Sequence, residues 1–95
     1  MNFTSWNIKG LGSKRKQIIL SNRMKQEALN MIFIQETRCS IQKIKEIHKK
    51  WLNRFEFLEV KADNIAGGIL TLWNPQKIGI IDAEASRNYL SVVIQ

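Results

Sequence analysis

The chain has 95 residues, 44% of them hydrophobic, with 15 Lys and Arg against 8 Asp and Glu, giving a formal charge of +7 and a pI near 9.9. One proline and no low-complexity run argue against a disordered tail, and 95 residues are expected to form one globular unit rather than several domains. Cys39 is the sole cysteine, which excludes an internal disulfide and a multi-cysteine zinc site.

A chain of this size buries only roughly 60–65% of its unfolded surface, so a missing layer would be felt in its stability. The basic balance favours polyanionic partners such as nucleic acid. Lys14-Arg15-Lys16 and the lysines at 43, 45, 49 and 50 fall on helix-like segments, where a solvated polar face is the plainer reading. The start of the sequence lacks a charged head followed by an apolar h-region, and no run is long enough to span a bilayer. An intracellular setting, nucleus or cytoplasm, is therefore expected over secretion or membrane insertion.

A β-prone run from Asn2 to Ile8 opens the chain and exits through Lys9-Gly10-Leu11-Gly12-Ser13, where glycines allow a tight turn and Ser13 is placed to cap a helix. Lys14 to about Leu29 is helical in composition, with Ile18, Ile19, Met24, Ala28 and Leu29 as the inward residues, and Asn30 stops it. Met31 to Gln35 is a compact apolar run, the pattern of a strand central in a sheet. After Thr37-Arg38-Cys39-Ser40, with Ser40 as N-cap, Ile41, Ile44, Ile47, Trp51 and Leu52 recur at spacings of three and four, predicting an amphipathic helix. His48 lies beside that stripe with no second histidine to partner it, which favours a structural role.

Arg54 to Lys61 and Gly67 to Trp73 read as two further strands, and Asn74-Pro75-Gln76-Lys77 as a turn. Ile78 to Ala85 and Tyr89 to Gln95 read as an antiparallel pair joined through Ser86-Arg87-Asn88. The order is βαβα followed by a meander. Leu90, Val92 and Ile94 alternate to the end of the sequence, so the architecture is expected to be cut midway, with an exposed apolar patch on the sheet face away from the helices.

In a βαβ unit the strands are parallel, and their carboxyl ends share the edge where open α/β sheets place their sites. Asn7 and Glu36, each ending a β run, are thereby directed to one place. A carboxylate oxygen suits Mg²⁺, and an amide suits a phosphate oxygen. The plainer alternatives are a solvated carboxylate at a strand end for Glu36 and an amide bonded to loop backbone for Asn7. Alternation sends Trp6 to the opposite face from Ser5 and Asn7, and Trp51 lies on the helix stripe, so both tryptophans read as packing. Gly67-Gly68 reads as close backbone approach at a strand start.

Ser5-Trp6-Asn7-Ile8-Lys9-Gly10-Leu11, Phe33-Ile34-Gln35-Glu36-Thr37 and Ala66-Gly67-Gly68-Ile69-Leu70-Thr71-Leu72-Trp73-Asn74 together resemble the opening motifs of the endonuclease/exonuclease/phosphatase (DNase I-like) family. Within it they are most similar to LINE-type (non-LTR) retrotransposon endonucleases. The resemblance covers the whole chain. It implies an α/β (α+β) fold, a mixed β-sheet with two helices on one face, forming the first half of a four-layer α/β sandwich. Residues 1–95 would then be a truncated, N-terminal portion of that domain. It also implies phosphate binding by Asn7, ligation of a catalytic Mg²⁺ by Glu36, and DNA as partner. In the resembling proteins the 67–68 segment lies near the active-site face, so Gly67 and Gly68 enter as candidate substrate-binding positions.

The family's later motifs supply a Tyr, an Asp-x-Asn pair, further Asp residues and a C-terminal Asp-His, and nothing in this sequence corresponds to them; neither His48 nor Tyr89 matches in context. The expectation is a remnant of a Mg²⁺-dependent DNA endonuclease, inactive without the second half of its domain. The alternatives are a small basic nucleic-acid-binding module, whose affinity would fall steeply with salt, and a product of a decayed element that neither cleaves nor binds.

Overall fold

The structure, a computed structural model, describes residues 2–26, 29–60, 67–86 and 89–94. In chain order it contains β1 (Phe3–Asn7), α1 (Lys14–Gln26), β2 (Met31–Gln35), α2 (Ile41–Trp51), β3 (Glu56–Val60), β4 (Ile69–Trp73), β5 (Ile80–Ser86) and β6 (Tyr89–Ile94). The first four strands form a mixed sheet of order β1-β2-β4-β3, with β1 and β2 parallel and the other pairs antiparallel. β2 is an inner strand, as its unbroken apolar run requires. The second inner strand is β4, which runs between β2 and β3. Its Thr71 is fully buried and donates its hydroxyl to the Ile32 carbonyl at 3.0 Å, so the polar group in the sheet interior is satisfied.

Both helices lie on one face of this sheet. Trp6, Ile32, Ile34, Leu70, Leu72 and Phe57 meet Leu20 and Met24 of α1 and Ile44 and Ile47 of α2 in the principal core. Ser40 caps α2 by accepting from the Lys43 amide at 3.1 Å, and Ser13 accepts from the Lys16 amide at 3.2 Å ahead of α1. Arg23 stands over the ring of Trp6 at 5.1 Å, which closes that tryptophan into the packing.

The buried stripe of α1 differs from the predicted one. It is Gln17, Leu20, Ser21 and Met24, while Ile18 and Ile19 are half-buried and Ala28 lies outside the described residues. The reason is a set of loop and helix partners that satisfies the polar members. The Gln17 amide donates to the carbonyls of Leu11 and Gly12 at 3.1 and 3.2 Å and accepts from the Trp51 indole at 3.1 Å. Ser21 donates to the Trp51 carbonyl at 3.2 Å, tying α1 to α2. With their hydrogen bonds made inside, a Gln and a Ser hold core positions that periodicity assigns to isoleucines.

Several boundaries move: β1 is Phe3–Asn7 rather than Asn2 to Ile8, and β5 is Ile80–Ser86 rather than Ile78 to Ala85. β3 starts at Glu56 rather than Arg54 because a turn, with the Phe55 amide on the Leu52 carbonyl at 3.0 Å, intervenes after α2. β4 starts at Ile69, with Gly67 and Gly68 preceding it. The far ends of the predicted third and last strands, Lys61 and Gln95, and the joining Arg87-Asn88 lie outside the described residues.

The second face of the sheet is not bare. β5 and β6 form a separate two-stranded antiparallel sheet. Ile80, Val92 and Ile94 from it pack with Ile78 against Met31, Phe33, Leu58 and Trp73. The expected apolar patch is thus largely covered; the face is exposed along β1, at Phe3, Ser5 and Asn7. Among the described residues, no helix is long and apolar enough to cross a membrane.

Candidate functional site

Parallel pairing of β1 and β2 sets Asn7 directly beside Gln35, and the chain on both strands continues past that pair in step. The amides of Ile8, Gly10 and Leu11 donate to the carbonyls of Gln35, Glu36 and Thr37 at 3.1, 2.8 and 2.8 Å. Beyond Asn7 the backbone turns through positive φ at Lys9 (52°) and Gly10 (101°). Lys16, from the first turns of α1, holds this turn by donating to the carbonyls of Ile8 and Lys9 at 2.7 and 2.8 Å.

On the β2 side Glu36 and Arg38 have φ of 56° and 53°. Left-handed backbone at a non-glycine residue costs about 1–2 kcal/mol. Several such residues within one loop cluster require surroundings that over-determine them, the condition often met at functional sites. The surroundings are Gly67 and Gly68. The Gly68 carbonyl accepts from the Thr37 amide at 3.2 Å and the Gly67 carbonyl from the Arg38 amide at 2.9 Å, so the start of β4 clamps the loop after β2 from behind. Gly68 has φ +111°, and a Cβ there would stand 2.2 Å from Thr37 Oγ1. Close backbone approach is therefore what this glycine permits.

Held this way, the side chains of Asn7 and Glu36 meet. The Asn7 amide donates from Nδ2 to Glu36 Oε2. On the other carboxylate oxygen, Oε1, Arg38 donates from its guanidinium at 3.1 Å. The Asn7 hydrogen bond first, then the Arg38 hydrogen bond and the positive charges of Arg38 and Lys9, hold the Glu36 carboxyl below the usual carboxylate range. Because the folded-state pKa is depressed, these contacts operate at and above the ordinary glutamate range and are lost as pH falls through the lowered value. Asn7→Ala should move the Glu36 pKa back up toward the ordinary value, read from the side-chain carboxyl resonance in an NMR titration. An unchanged midpoint would mean that the amide is not its main cause.

One ionised, partly exposed carboxylate with an amide beside it suits one edge of a Mg²⁺ shell that keeps several waters. It does not make a closed cage: among the described residues, no three His, Cys, Asp or Glu side chains cluster as a metal-holding group. Arg38 is the participant that sequence reasoning missed, since an arginine two residues past a glutamate looks like any solvated charge. Thr37 is fully buried beside Gly68 with its hydroxyl unpartnered. His48 is tied away from this edge. Its Nε2 lies 2.6 Å from the Phe55 carbonyl, ahead of β3, and its ring packs tilted at 51° against Phe57 with centroids 4.7 Å apart.

No family model matches the sequence, and neither does any curated protein sequence. Solved structures do share the fold. TDP2 of D. rerio, complexed with single strand DNA product, superposes with a TM-score of 0.68 at 15% identity over 96% of this chain and 39% of its own. A mannosyl-6-phosphatase of Bacteroides thetaiotaomicron gives 0.65 at 13% over 86% and 34%. An endonuclease/exonuclease/phosphatase family protein of the same organism gives 0.63 at 13% over 84% and 33%. The chain spans about a third of the length of these structures. At such identities the likeness is one of fold: the chain's mixed α/β arrangement, with two helices on one face of the sheet, matches about a third of each of these structures.

Proposed function

We propose that the chain is the amino-terminal portion of a Mg²⁺-dependent, phosphodiester-cleaving DNA endonuclease domain of a non-LTR retroelement, holding the first part of its active site and inactive alone. The single observation that carries this is the Asn7–Glu36 pair, joined at the carboxyl ends of two parallel strands and clamped by Gly67 and Gly68. The retroelement origin rests on the three motifs around Trp6, Glu36 and Gly68. DNA as partner is supported by the +7 charge and by the complex of the fold neighbour TDP2 with a single strand DNA product.

In this reading Asn7 gives one Nδ2 proton to Glu36 and keeps the second for a phosphate oxygen, so the carboxylate orients the amide. Glu36, kept ionised by Asn7 and Arg38, is the residue that would hold Mg²⁺. The ion would supply charge stabilisation at the phosphoryl oxygens. Arg38, at the rim, offers a guanidinium to the same phosphate group. Gly67 and Gly68 act by positioning the Glu36 loop. Hydrolysis also needs a base for the water, and general acid–base help is worth roughly 10²–10⁴-fold. Among the described residues nothing at this edge supplies it, so the remaining portion of such a domain is the partner required.

Titration of the ¹⁵N-labelled chain with Mg²⁺ should shift resonances at residues 7–10 and 35–38, and Glu36→Ala should abolish the shifts. No shift at those residues would remove the metal role. Purified chain should leave supercoiled plasmid intact in Mg²⁺; nicking that disappears in Glu36→Ala would overturn the inactivity.

A further inference from the structure

The opposite edge of the sheet carries a second feature that owes nothing to the Asn7–Glu36 pair. β2 and β3 start there and β4 ends there, as the register Met31–Trp73–Glu56 fixes. Between these parts lies a cavity of about 470 Å³, inside the usual size range of small-ligand sites. Its walls include Lys25 from the last turn of α1, Arg54 from the turn after α2, and Lys77 from the turn after β4. Asn74 and Gln76 add side-chain amides, and Phe55 lies against the core side.

Three cations face one concavity, and no carboxylate is among the described residues that line it. Among the described residues none of the three is in an ion pair; the pair at Arg38 and Glu36 stands at the other edge. Like charges gathered around one concavity raise the local positive potential and attract an anion. The end of α1 brings the negative pole of its helix to the same place, so the cations, not the backbone, make the site attractive to an anion. The wall after β4 is fixed in shape. Asn74 donates its amide to the Asn30 carbonyl at 2.9 Å, accepts from the Gln76 amide at 3.0 Å on its side chain, and accepts from Lys77 and Ile78 at 3.0 Å each on its carbonyl.

We infer that this cavity binds a phosphate-bearing ligand of nucleotide size. A phosphate group offers several terminal oxygens, which a guanidinium, two ammonium groups and two amides can share. The volume leaves room for the nucleoside beside it. The phosphate could belong to a free nucleotide or to a nucleic-acid strand.

The test is an amide-resonance titration of the whole chain with inorganic phosphate, AMP and a single-stranded DNA hexanucleotide in turn. Saturable shifts are expected at Arg54, Phe55, Gln76 and Lys77 with AMP or the hexanucleotide. Arg54→Gln combined with Lys77→Gln should weaken binding about tenfold or more, since each removes a hydrogen bond to a charged group. Lys45→Gln, on the exposed face of α2, should leave it within about twofold, which separates this site from general attraction to the basic surface. Tighter binding of the hexanucleotide than of AMP assigns the phosphate to a strand, and equal or weaker binding assigns it to a free nucleotide. Absence of saturable shifts with all three probes, or equal affinity in the double variant whose spectrum is otherwise native, would overturn the inference.

Discussion

Gly68→Ala should destabilise the chain by about 2–4 kcal/mol, a large share of the roughly 5–15 kcal/mol that holds a small domain together. Two effects act in the same direction. The backbone at φ +111° is one that a residue with a Cβ rarely adopts, and the new methyl would stand 2.2 Å from Thr37 Oγ1. Thr37 cannot step aside, because it is fully buried and its amide is held by the Gly68 carbonyl. Relief must come from moving β4 away from the loop after β2, which loosens the clamp on Thr37 and Arg38 and carries Glu36 away from Asn7. Urea midpoints measure the stability, and the Glu36 carboxyl pKa reports the second consequence by rising. Gly12→Ala is the control: nothing lies within 4 Å of its Cβ position, so its midpoint should match wild type within about 0.5 kcal/mol. Equal midpoints for the two variants would mean that Gly68 is not the clamp.

The reach of sequence reasoning follows from how local each determinant is. The β1-α1-β2 unit and the meeting of Asn7 with Glu36 were legible because two β-prone runs end in polar residues around a helix-length segment, and parallel pairing then leaves one geometry. The α2 stripe was legible for the same reason: Ile44 and Ile47 sit one turn apart and both are buried. What escaped depends on partners distant in sequence. That β4 enters between β2 and β3 is a choice of pairing, which periodicity does not encode. Gln17 and Ser21 are buried because their partners, the Leu11 and Gly12 carbonyls and Trp51, come from other elements. The left-handed backbone at Glu36 and Arg38 has no residue signal, since neither is glycine. Alternation at Val92 and Ile94 foretold a half-buried strand, yet not that its inner side would meet Met31 and Trp73 instead of leaving them open.

That last packing has a large consequence, which Trp73→Ala should expose. Trp73 is 5% exposed and, with Met31 and Ile78, forms the centre on which Ile80, Val92 and Ile94 rest. Removing a buried indole costs about 3–5 kcal/mol, the transfer of its atoms plus the void they leave. The loss should not spread evenly. Among the described residues β5 and β6 pair only with each other, and an isolated two-stranded hairpin is marginal in water. Without Trp73 beneath it the hairpin should open first, while the principal core of Leu20, Ile32, Ile34, Leu70 and Leu72 stays closed under the two helices. Hydrogen exchange should then accelerate at amides of residues 80–86 and 89–94 well before those of β2. The uncovered Met31, Phe33 and Leu58 would bind a hydrophobic dye and draw molecules together as concentration rises, read by light scattering. Hairpin amides that stay as protected as those of β2, with no gain in dye fluorescence, would show that the two sheets are held together by something other than this tryptophan.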